Sequence, residues 1–497
     1  MRVGVSVGTV LLTLGLLFPA AARAQDDTKA ELDALKKRMA ELENKQSAQD
    51  DSLRQAAERI SGPASPTDFR VFWRDGLQFE TADKAFTLHI GGRLQYDAEW
   101  FHTGANVQKY AAPPVPKTVT AATPRLGNQA DGDELRRMRL LFDGTIYENM
   151  FYKLEFDLAH RNNGASASSP TDDVQIRNAY VGTTALQPFT TVTVGHFKEP
   201  FGLETKTDDN FTTFMERGST YAFSPDYQTG IQLSNAVLDQ RVTWAIGEFR
   251  TENGSSGSAS ADQSFTQADS GYNTTARVTG LPWYQDEKTG DTFGLLHVGG
   301  SASQRYPTKA TSLAFSSAPE MHLASKFVNT GNISNVHEYQ LYDEEVAFVY
   351  GPFSAQAEAA QADATRTAGS KDLSFNAAYG FVSYFLTGEH RGYNKASGTF
   401  DRVRPLNNLG KTKDGKRGWG AWELAARYSY IDLTDHDIFG GRMADVTVGL
   451  NWYLNPNMRV MVNYVRSQLL DANVTGATKT QKGGDEDILG IRFQVDL

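Results

Sequence analysis

Apolar and polar residues alternate one by one along many segments of this chain, and this period constrains the fold most. From residue 86 to residue 100, one face carries Phe86, Leu88 and Ile90 and continues to Trp100, while the opposite face is polar. The same alternation returns in segments 138–146, 152–158, 422–430 and 491–497. A two-residue period belongs to β-strands with one apolar and one polar face. The sequence therefore predicts an all-β protein built from antiparallel strands.

Two architectures fit such strands, a soluble sandwich of two packed sheets and a transmembrane barrel. Residues 1–24 combine Arg2, an apolar run and a small-residue ending at Ala24, which predicts a cleaved secretory signal. The predicted strands are long, and aromatic residues lie near their ends, as in the interfacial girdles of outer-membrane barrels: Trp100, Phe101, Tyr147, Trp452 and Tyr453. The chain has no cysteine, so disulfides cannot hold it together. We therefore predict a transmembrane antiparallel β-barrel in the outer membrane of a Gram-negative cell.

The segment that follows the signal has a different period. Leu32, Leu35, Met39 and Leu42 fall at alternating spacings of three and four, with charged residues between them. This is an a/d heptad seam, which predicts a short periplasmic coiled coil over residues 25–60. A solitary amphipathic helix is the alternative. Gly62, Pro63 and Pro66 predict a linker over residues 61–82. The barrel would then occupy residues 83–497.

The alternation gives about sixteen barrel strands, an even number as in bacterial barrels. If the coiled coil is periplasmic, connections after even-numbered strands are periplasmic and should be short. One connection, residues 387–418, is long instead and strongly basic, with eight Lys or Arg residues against Glu389, Asp401 and Asp414. Two interpretations stay open for it, a segment folded into the lumen to attract anions and a solvated periplasmic loop.

The polar strand faces and the basic segment supply the candidate site residues. The candidates for lining an anion path are Arg93, Arg137, Arg139, Lys153, Arg177, Lys198, Arg217, Arg391, Arg402, Arg404 and Arg427. Such residues would select an ion only where they dominate one wall of the lumen, and otherwise they only keep the lumen hydrated. The histidines are scattered without metal-ligand spacing, so we predict neither an enzyme nor a cofactor. The formal net charge of −10 argues against nucleic acid as a partner.

Several separated segments resemble one known family in the order in which they occur. They are LRRMRLLFDG (135–144), FYKLEFDLA (151–159), QIRNAYVG (175–182), GHFKEPFGLE (195–204), TTFMER (212–217), GAWELAARYSYIDL (420–433) and NWYLNPN (451–457). The chain resembles the phosphate-selective porin O and P family. The resemblance implies a homotrimer of sixteen-stranded channels in outer-membrane lipid, narrowed by the third extracellular loop and by an inward-folded periplasmic turn. It also implies passive uptake of small anions, phosphate or polyphosphate first.

One feature departs from that expectation. The third loop, after residues 195–204, holds more acidic than basic residues, with Asp208 and Asp209 side by side. A general or sugar-selective porin is therefore one alternative function. An outer-membrane tether, in which the coiled coil binds a periplasmic partner and conduction is incidental, is the other.

Overall fold

A computed structural model gives the fold of the chain in two compact units, residues 1–68 and residues 69–497. The structure describes residues 37–39, 41 and 45 of the first unit, which are helical. In the second unit it describes all residues except 111–125, 160–173, 251–270, 288–291, 308–312, 368, 412–414, 416 and 473–480. The predicted signal and nearly all of the predicted coiled coil lie outside the described residues. No helix among the described residues is long and apolar enough to cross a membrane.

Sixteen antiparallel strands form one closed barrel, as the alternation predicts. The barrel strands are β1 (Phe86–Thr103), β2 (Gly132–Ile146), β3 (Met150–Asp157), β4 (Gln175–Thr183), β5 (Thr191–Lys198), β6 (Tyr227–Val237), β7 (Val242–Arg250), β8 (Tyr272–Gln285), β9 (Gly294–Arg305), β10 (Val336–Tyr350), β11 (Phe353–Arg366), β12 (Leu373–Phe385), β13 (Ala421–Asp435), β14 (Ile438–Asn455), β15 (Met458–Ala472) and β16 (Asp485–Asp496). The last strand closes the barrel on the first, with Ile491 opposite Ala98 and Asp496 opposite Arg93. Closure leaves none of the sixteen strands with an unpaired edge inside the membrane.

The two faces of the wall differ as the period requires. Along β12 buried and exposed residues alternate without interruption, so that Phe375 and Tyr379 point inward while Gly380 and Val382 point outward. The inward face is buried because chain segments fill part of the lumen. The outward face keeps exposed apolar side chains such as Leu94, as a lipid-facing surface does.

The connections on the two rims differ in length. On one rim most connections are short, for example 147–149, 238–241 and 351–352, and on the other rim 104–131 and 199–226 are long. Short turns are typical of the periplasmic side. Two connections of the long rim, 367–372 and 436–437, are short as well.

A short hairpin, Phe69–Trp73 and Leu77–Thr81, precedes the barrel and pairs with the start of β1. This corrects the sequence analysis, which assigned residues 61–82 to a linker. Two five-residue strands are too short for their alternation to stand out. Their turn depends on Gly76, whose φ of 130° and close approach to the His89 ring exclude a larger residue.

In the described part of the chain, three connections fold into the lumen. The third loop (199–226) contains the helix α1 (Leu203–Lys206) and a 3₁₀ turn (Ser219–Phe223). The fifth loop (306–335) contains the strand pair Ser316–Ser317 and Val328–Asn329. The inward turn (386–420) contains the pairs Gly392–Asn394 with Thr399–Asp401 and Gly410–Lys411 with Arg417–Gly418. The remaining short elements are a 3₁₀ turn at Val107–Lys109 and the strand Gln481–Lys482 beside β15.

An apolar core inside the barrel holds these loops against the wall. Phe223 of the third loop and Phe315 and Phe327 of the fifth pack with inward-facing residues such as Leu341 and Phe375. The rings of Phe223 and Phe315 meet edge to face at 5.1 Å. The fifth loop is therefore part of the lumen filling, beside the third loop that the family resemblance emphasised.

Candidate functional site

The third loop lies along the wall formed by β14, β15 and β16, because polar side chains of these strands bind its backbone. The carbonyl of Thr213 accepts a hydrogen bond from Asn451 (2.8 Å), and that of Thr212 accepts one from Arg459 (2.7 Å). Arg492 donates to the carbonyl of Met215. A buried carbonyl needs such a partner, so this wall fixes the path of the loop across the lumen.

The acidic pair of the third loop faces basic residues of β1 and β2, the strands that follow β16 around the barrel. Arg93 donates two hydrogen bonds to the Asp208 carboxylate, at 2.8 and 2.9 Å. Arg137 and Arg139 each approach Asp209 at 3.1 Å. Asp209 also pairs with Arg217 of the same loop and with Lys198 at the end of β5. Burial acts to raise the pKa of Asp209, yet the surrounding cations hold it well below the ordinary value.

The same cluster extends along β3 and β4. Arg139 donates to Asp157 (2.8 Å), which also lies 3.6 Å from Arg177, and Arg93 lies 3.5 Å from Glu155. Six cations and four carboxylates thus form one network, which leaves an excess of two positive charges. The acidic loop therefore reduces the positive charge of this wall without reversing it.

Three other carboxylates of the third loop are anchors as well. Glu199 lies 2.9 Å from Arg305, Glu204 lies 3.4 Å from Arg427, and Glu216 lies 2.8 Å from Arg136. Each of these acidic side chains faces a guanidinium of the wall. Five of the six acidic side chains of the loop therefore pair with cations, and the sixth, Asp226, accepts a hydrogen bond from the Tyr221 hydroxyl (2.8 Å).

The fifth loop is held by its own carboxylate Glu320, which binds donors of the wall, and by Glu99 of the wall, which binds the loop backbone. Glu320 accepts a hydrogen bond from Arg427 (2.8 Å) and another from Thr447, and both side chains point inward from the wall. Glu99 of β1 accepts from the backbone N–H groups of His322 (3.2 Å) and Leu323 (3.1 Å). Arg427 is completely buried between the two loops, so the structure places it in an anchor and away from open water.

Glu99 also belongs to the group of carboxylates in the described chain that comes closest to a metal site. Oxygen atoms of Asp97, Glu99 and Glu134 lie within 4.8 Å of one another. However, Asp97 binds Arg492 at 2.6 and 2.7 Å, and Glu99 is already engaged by the fifth loop. The carboxylate oxygens of this cluster therefore accept hydrogen bonds from protein donors, and the cluster serves to hold the fifth loop.

The inward turn packs against lumen-facing side chains, which confirms that it folds inward. Arg391 is buried, stacks over Phe400 at 3.3 Å and donates to Gln356 (3.0 Å). Arg277 of β8 donates to the carbonyl of Gly398 at the tip of the turn (2.9 Å). His297 of β9 meets the Tyr393 hydroxyl at 2.7 Å.

The other predicted cations of this turn lie near its base. Arg402 pairs with Asp496 at the end of β16 and donates to the carbonyl of Pro456. Arg404 is largely exposed and lies 3.2 Å from Asp75 of the hairpin. Lys413 and Lys416 lie outside the described residues. The turn therefore does not present its cations as one uniform row to the lumen.

A cavity of about 480 Å3 lies between the third loop, the tip of the inward turn and the wall from β5 to β8. Its lining is rich in hydroxyl and amide groups: Thr184, Gln187, Thr191, Gln232, Ser234, Asn235, Gln240, Thr243 and Ser397. None of the described residues that line it is acidic, and Lys206 and Arg277 are its two cations. Arg277 is paired with Glu345 at 2.7 Å.

Lys206, at the end of α1, is the cation of this cavity without an acidic partner. Its Nζ donates to the carbonyl of Lys198 (3.2 Å), and within the described chain no carboxylate oxygen lies within 4.0 Å of it. Burial lowers its pKa, and Arg277 and Lys198 lower it further, to about 7. From the sequence, Lys206 is only one of the charges of the third loop. Its lack of an acidic partner in the described chain depends on where the loop docks in the barrel, which no local pattern shows.

The structure thus brings together part of the predicted set. One network contains Arg93, Arg137, Arg139, Arg177, Lys198 and Arg217. Lys153 faces the lumen beside it, on β3 opposite Tyr180 of β4. The other four form separate contacts, with Arg391, Arg402 and Arg427 inside the barrel and the largely exposed Arg404 beside Asp75 of the hairpin. Their roles in permeation remain predictions.

Comparison with known proteins agrees with this architecture. The family model described as phosphate-selective porin O and P matches residues 121–497. This chain belongs to the phosphate-selective porin O and P family. The family assignment makes it an outer-membrane porin, which is a channel, and confirms the resemblance drawn from the separated sequence motifs.

Two relatives and one solved structure illustrate how far the similarity extends. Porin O of Pseudomonas aeruginosa is 26% identical to this porin over 440 residues, covering 81% of this chain and 87% of that protein. An uncharacterized protein of Caulobacter vibrioides is 29% identical over 451 residues, covering 88% and 78%. An anion-selective porin from Comamonas acidovorans aligns with a TM-score of 0.48 at 10% identity, covering 83% of this chain and all of that one.

Proposed function

We propose that this porin forms a homotrimer whose pores pass small oxyanions, phosphate among them, by passive diffusion, and that Lys206 is the cation they meet in the narrow part. The cavity beside the third loop carries the proposal. A permeating anion finds there an ammonium group without an acidic partner and a wall of hydroxyl and amide donors. Such groups replace part of the hydration shell of an anion, and no carboxylate of the lining repels it.

The paired network above the cavity supports the same direction of selectivity. Its excess of two positive charges raises the local concentration of anions. The carboxylates Asp208 and Asp209 compete with a permeating anion for the same guanidinium groups. We therefore expect rapid passage with weak retention at this level, and selection mainly at Lys206.

The test is the reversal potential of planar bilayers across a potassium chloride gradient, for the wild type and for Lys206→Gln. We expect the substitution to lower the anion-to-cation permeability ratio and to weaken the block of chloride current by added phosphate. Lys371→Gln, which removes the same charge from the exposed connection after β11, is the matched control and should leave both quantities unchanged.

Three outcomes contradict the proposal. A wild-type channel that prefers cations or shows no preference, and that conducts neutral sugars equally well, identifies a general or sugar-selective porin. A Lys206→Gln channel with wild-type selectivity and wild-type phosphate block moves the selective step away from this cavity. A chain that inserts but never conducts favours the tethering role.

A further inference from the structure

We propose that the hairpin Phe69–Trp73 and Leu77–Thr81 is a membrane-docking element whose outer face enters the inner leaflet of the outer membrane. Its ligand is therefore phospholipid at the boundary between acyl chains and headgroups. The hairpin lies at the rim of the short turns, next to β1, and none of its residues belongs to the proposed anion path.

The strand register shows which way each hairpin side chain points. Trp73 pairs with Leu77, which pairs with Ile90, and Val71 pairs with Phe79, which pairs with Leu88. Residues paired across neighbouring strands project from the same face of a sheet. Leu88 and Ile90 share a face with Leu94, which is 41% exposed on the outer surface of the barrel. The outer face of the hairpin is therefore continuous with the lipid-facing wall.

The opposite face of the hairpin belongs to the lumen side and is mainly polar, with the ring of Phe72 beneath Arg70 and Arg74. Arg70 forms an ion pair with Glu80, and Gln78 pairs in register with His89. His89 in turn bonds the lumen-facing Asp143 at 2.9 Å and the carbonyl of Asp75 at 3.0 Å. The alternation of the barrel strands thus continues through the hairpin with the same orientation.

The outer face is apolar except for the buried Thr81 beside Phe69, and its outermost strand is exposed. Phe69, Val71 and Trp73 are 61%, 53% and 60% exposed, in a strand whose far edge pairs with no other described strand. Beside them, at the same rim, the rings of Phe86 and Tyr147 pack edge to face at 4.8 Å. Aromatic residues at the rim of a barrel are typical of the membrane interface. Continuity with the lipid-facing wall therefore identifies lipid as the occupant, and a second copy of the chain is the competing one.

The absence of cysteine from the chain makes a direct test possible. Val71→Cys, labelled with an environment-sensitive fluorophore, is reconstituted into phospholipid vesicles that carry nitroxides on their acyl chains. Arg70→Cys, on the opposite face of the same strand, is the matched control, and Trp73→Cys is a second outer-face position. Wild-type conductance of each labelled porin shows that the barrel is intact.

We expect the labels at positions 71 and 73 to lose fluorescence to the lipid nitroxides and to resist aqueous iodide, with the reverse at position 70. Equal iodide quenching at positions 70 and 71 overturns the proposal, because the outer face would then be in water. Protection from iodide without lipid quenching, together with self-quenching between labelled copies, also overturns it and assigns the face to a neighbouring subunit.

Discussion

At the scale of single residues, pairing with an opposite charge decides which charged side chains of the lumen can act on a permeating ion. Arg93 holds the carboxylate of Asp208 in two hydrogen bonds, whereas the ammonium of Lys206 has a backbone carbonyl as its acceptor. A paired charge projects a weak field beyond its partner, while an unpaired one acts over the ~8 Å Debye length of physiological salt. Composition alone is therefore a poor guide to selectivity in this lumen.

The environment of Lys206 makes anion preference depend on pH near neutrality. Its pKa is lowered to about 7, first by burial and then by Arg277 and Lys198, so its side chain is charged below that pH and neutral above it. We expect the anion-to-cation permeability ratio to fall as the pH rises from about 6 to about 8. Reversal potentials across this range measure the effect.

Lys206→Arg provides the control, because a guanidinium stays charged across the same range. Its permeability ratio should remain constant between these pH values. If the wild type and Lys206→Arg change in parallel, another group is responsible for the pH dependence and the assignment to Lys206 is wrong.

At the scale of elements, the inward turn depends on one buried arginine. Arg391 stacks over Phe400 and donates to Gln356, and within the described chain no carboxylate lies within 4.0 Å of its guanidinium. A desolvated cation–π contact stabilises by about 2 kcal/mol. Arg391→Gln should therefore loosen the turn and increase both the conductance of a single channel and its fluctuations, which planar-bilayer recordings measure.

Arg404→Gln is the control for this prediction, because Arg404 lies on the same turn but is largely exposed beside Asp75. It should leave the conductance unchanged. If Arg391→Gln conducts like the wild type and only its selectivity changes, the residue acts on the ion directly, as the sequence analysis supposed, and not by holding the turn.

At the scale of the whole molecule, the predicted coiled coil bears on assembly. A barrel satisfies its strand hydrogen bonds within one chain, so loss of the seam should not unfold it. Leu35→Asp with Leu42→Asp places charges in the a/d seam and should lower the temperature at which the trimer dissociates, while each barrel stays folded. Electrophoresis of unheated samples over a temperature series measures both.

Lys37→Asp is the matched control, since residue 37 is exposed and lies off the seam. It should leave the dissociation temperature unchanged. If the seam variant dissociates at the wild-type temperature, residues 25–60 do not hold the subunits together, and binding of a periplasmic partner becomes the better role for them.

The sequence by itself determined the wall of this protein. A two-residue period is a local property, so it predicted about sixteen strands with their inward and outward faces without any knowledge of contacts, and the separated sequence motifs indicated the family. The basic composition and unusual length of residues 387–418 marked this connection as exceptional, but they left open whether it folds into the lumen or lies in the periplasm as a solvated loop. The hairpin at residues 69–81 was missed, because its strands of five residues are too short to show a period.

Only the tertiary structure decided which charges neutralise one another. The pairing of Asp208 with Arg93 joins residues 115 positions apart, and that of Glu320 with Arg427 joins residues 107 positions apart. Such pairs form because barrel closure and loop docking bring distant segments to one level of the lumen, and no local pattern encodes that level. For the same reason, the sequence placed the candidate cations in the lumen, while the fold decided that Lys206 is left without an acidic partner.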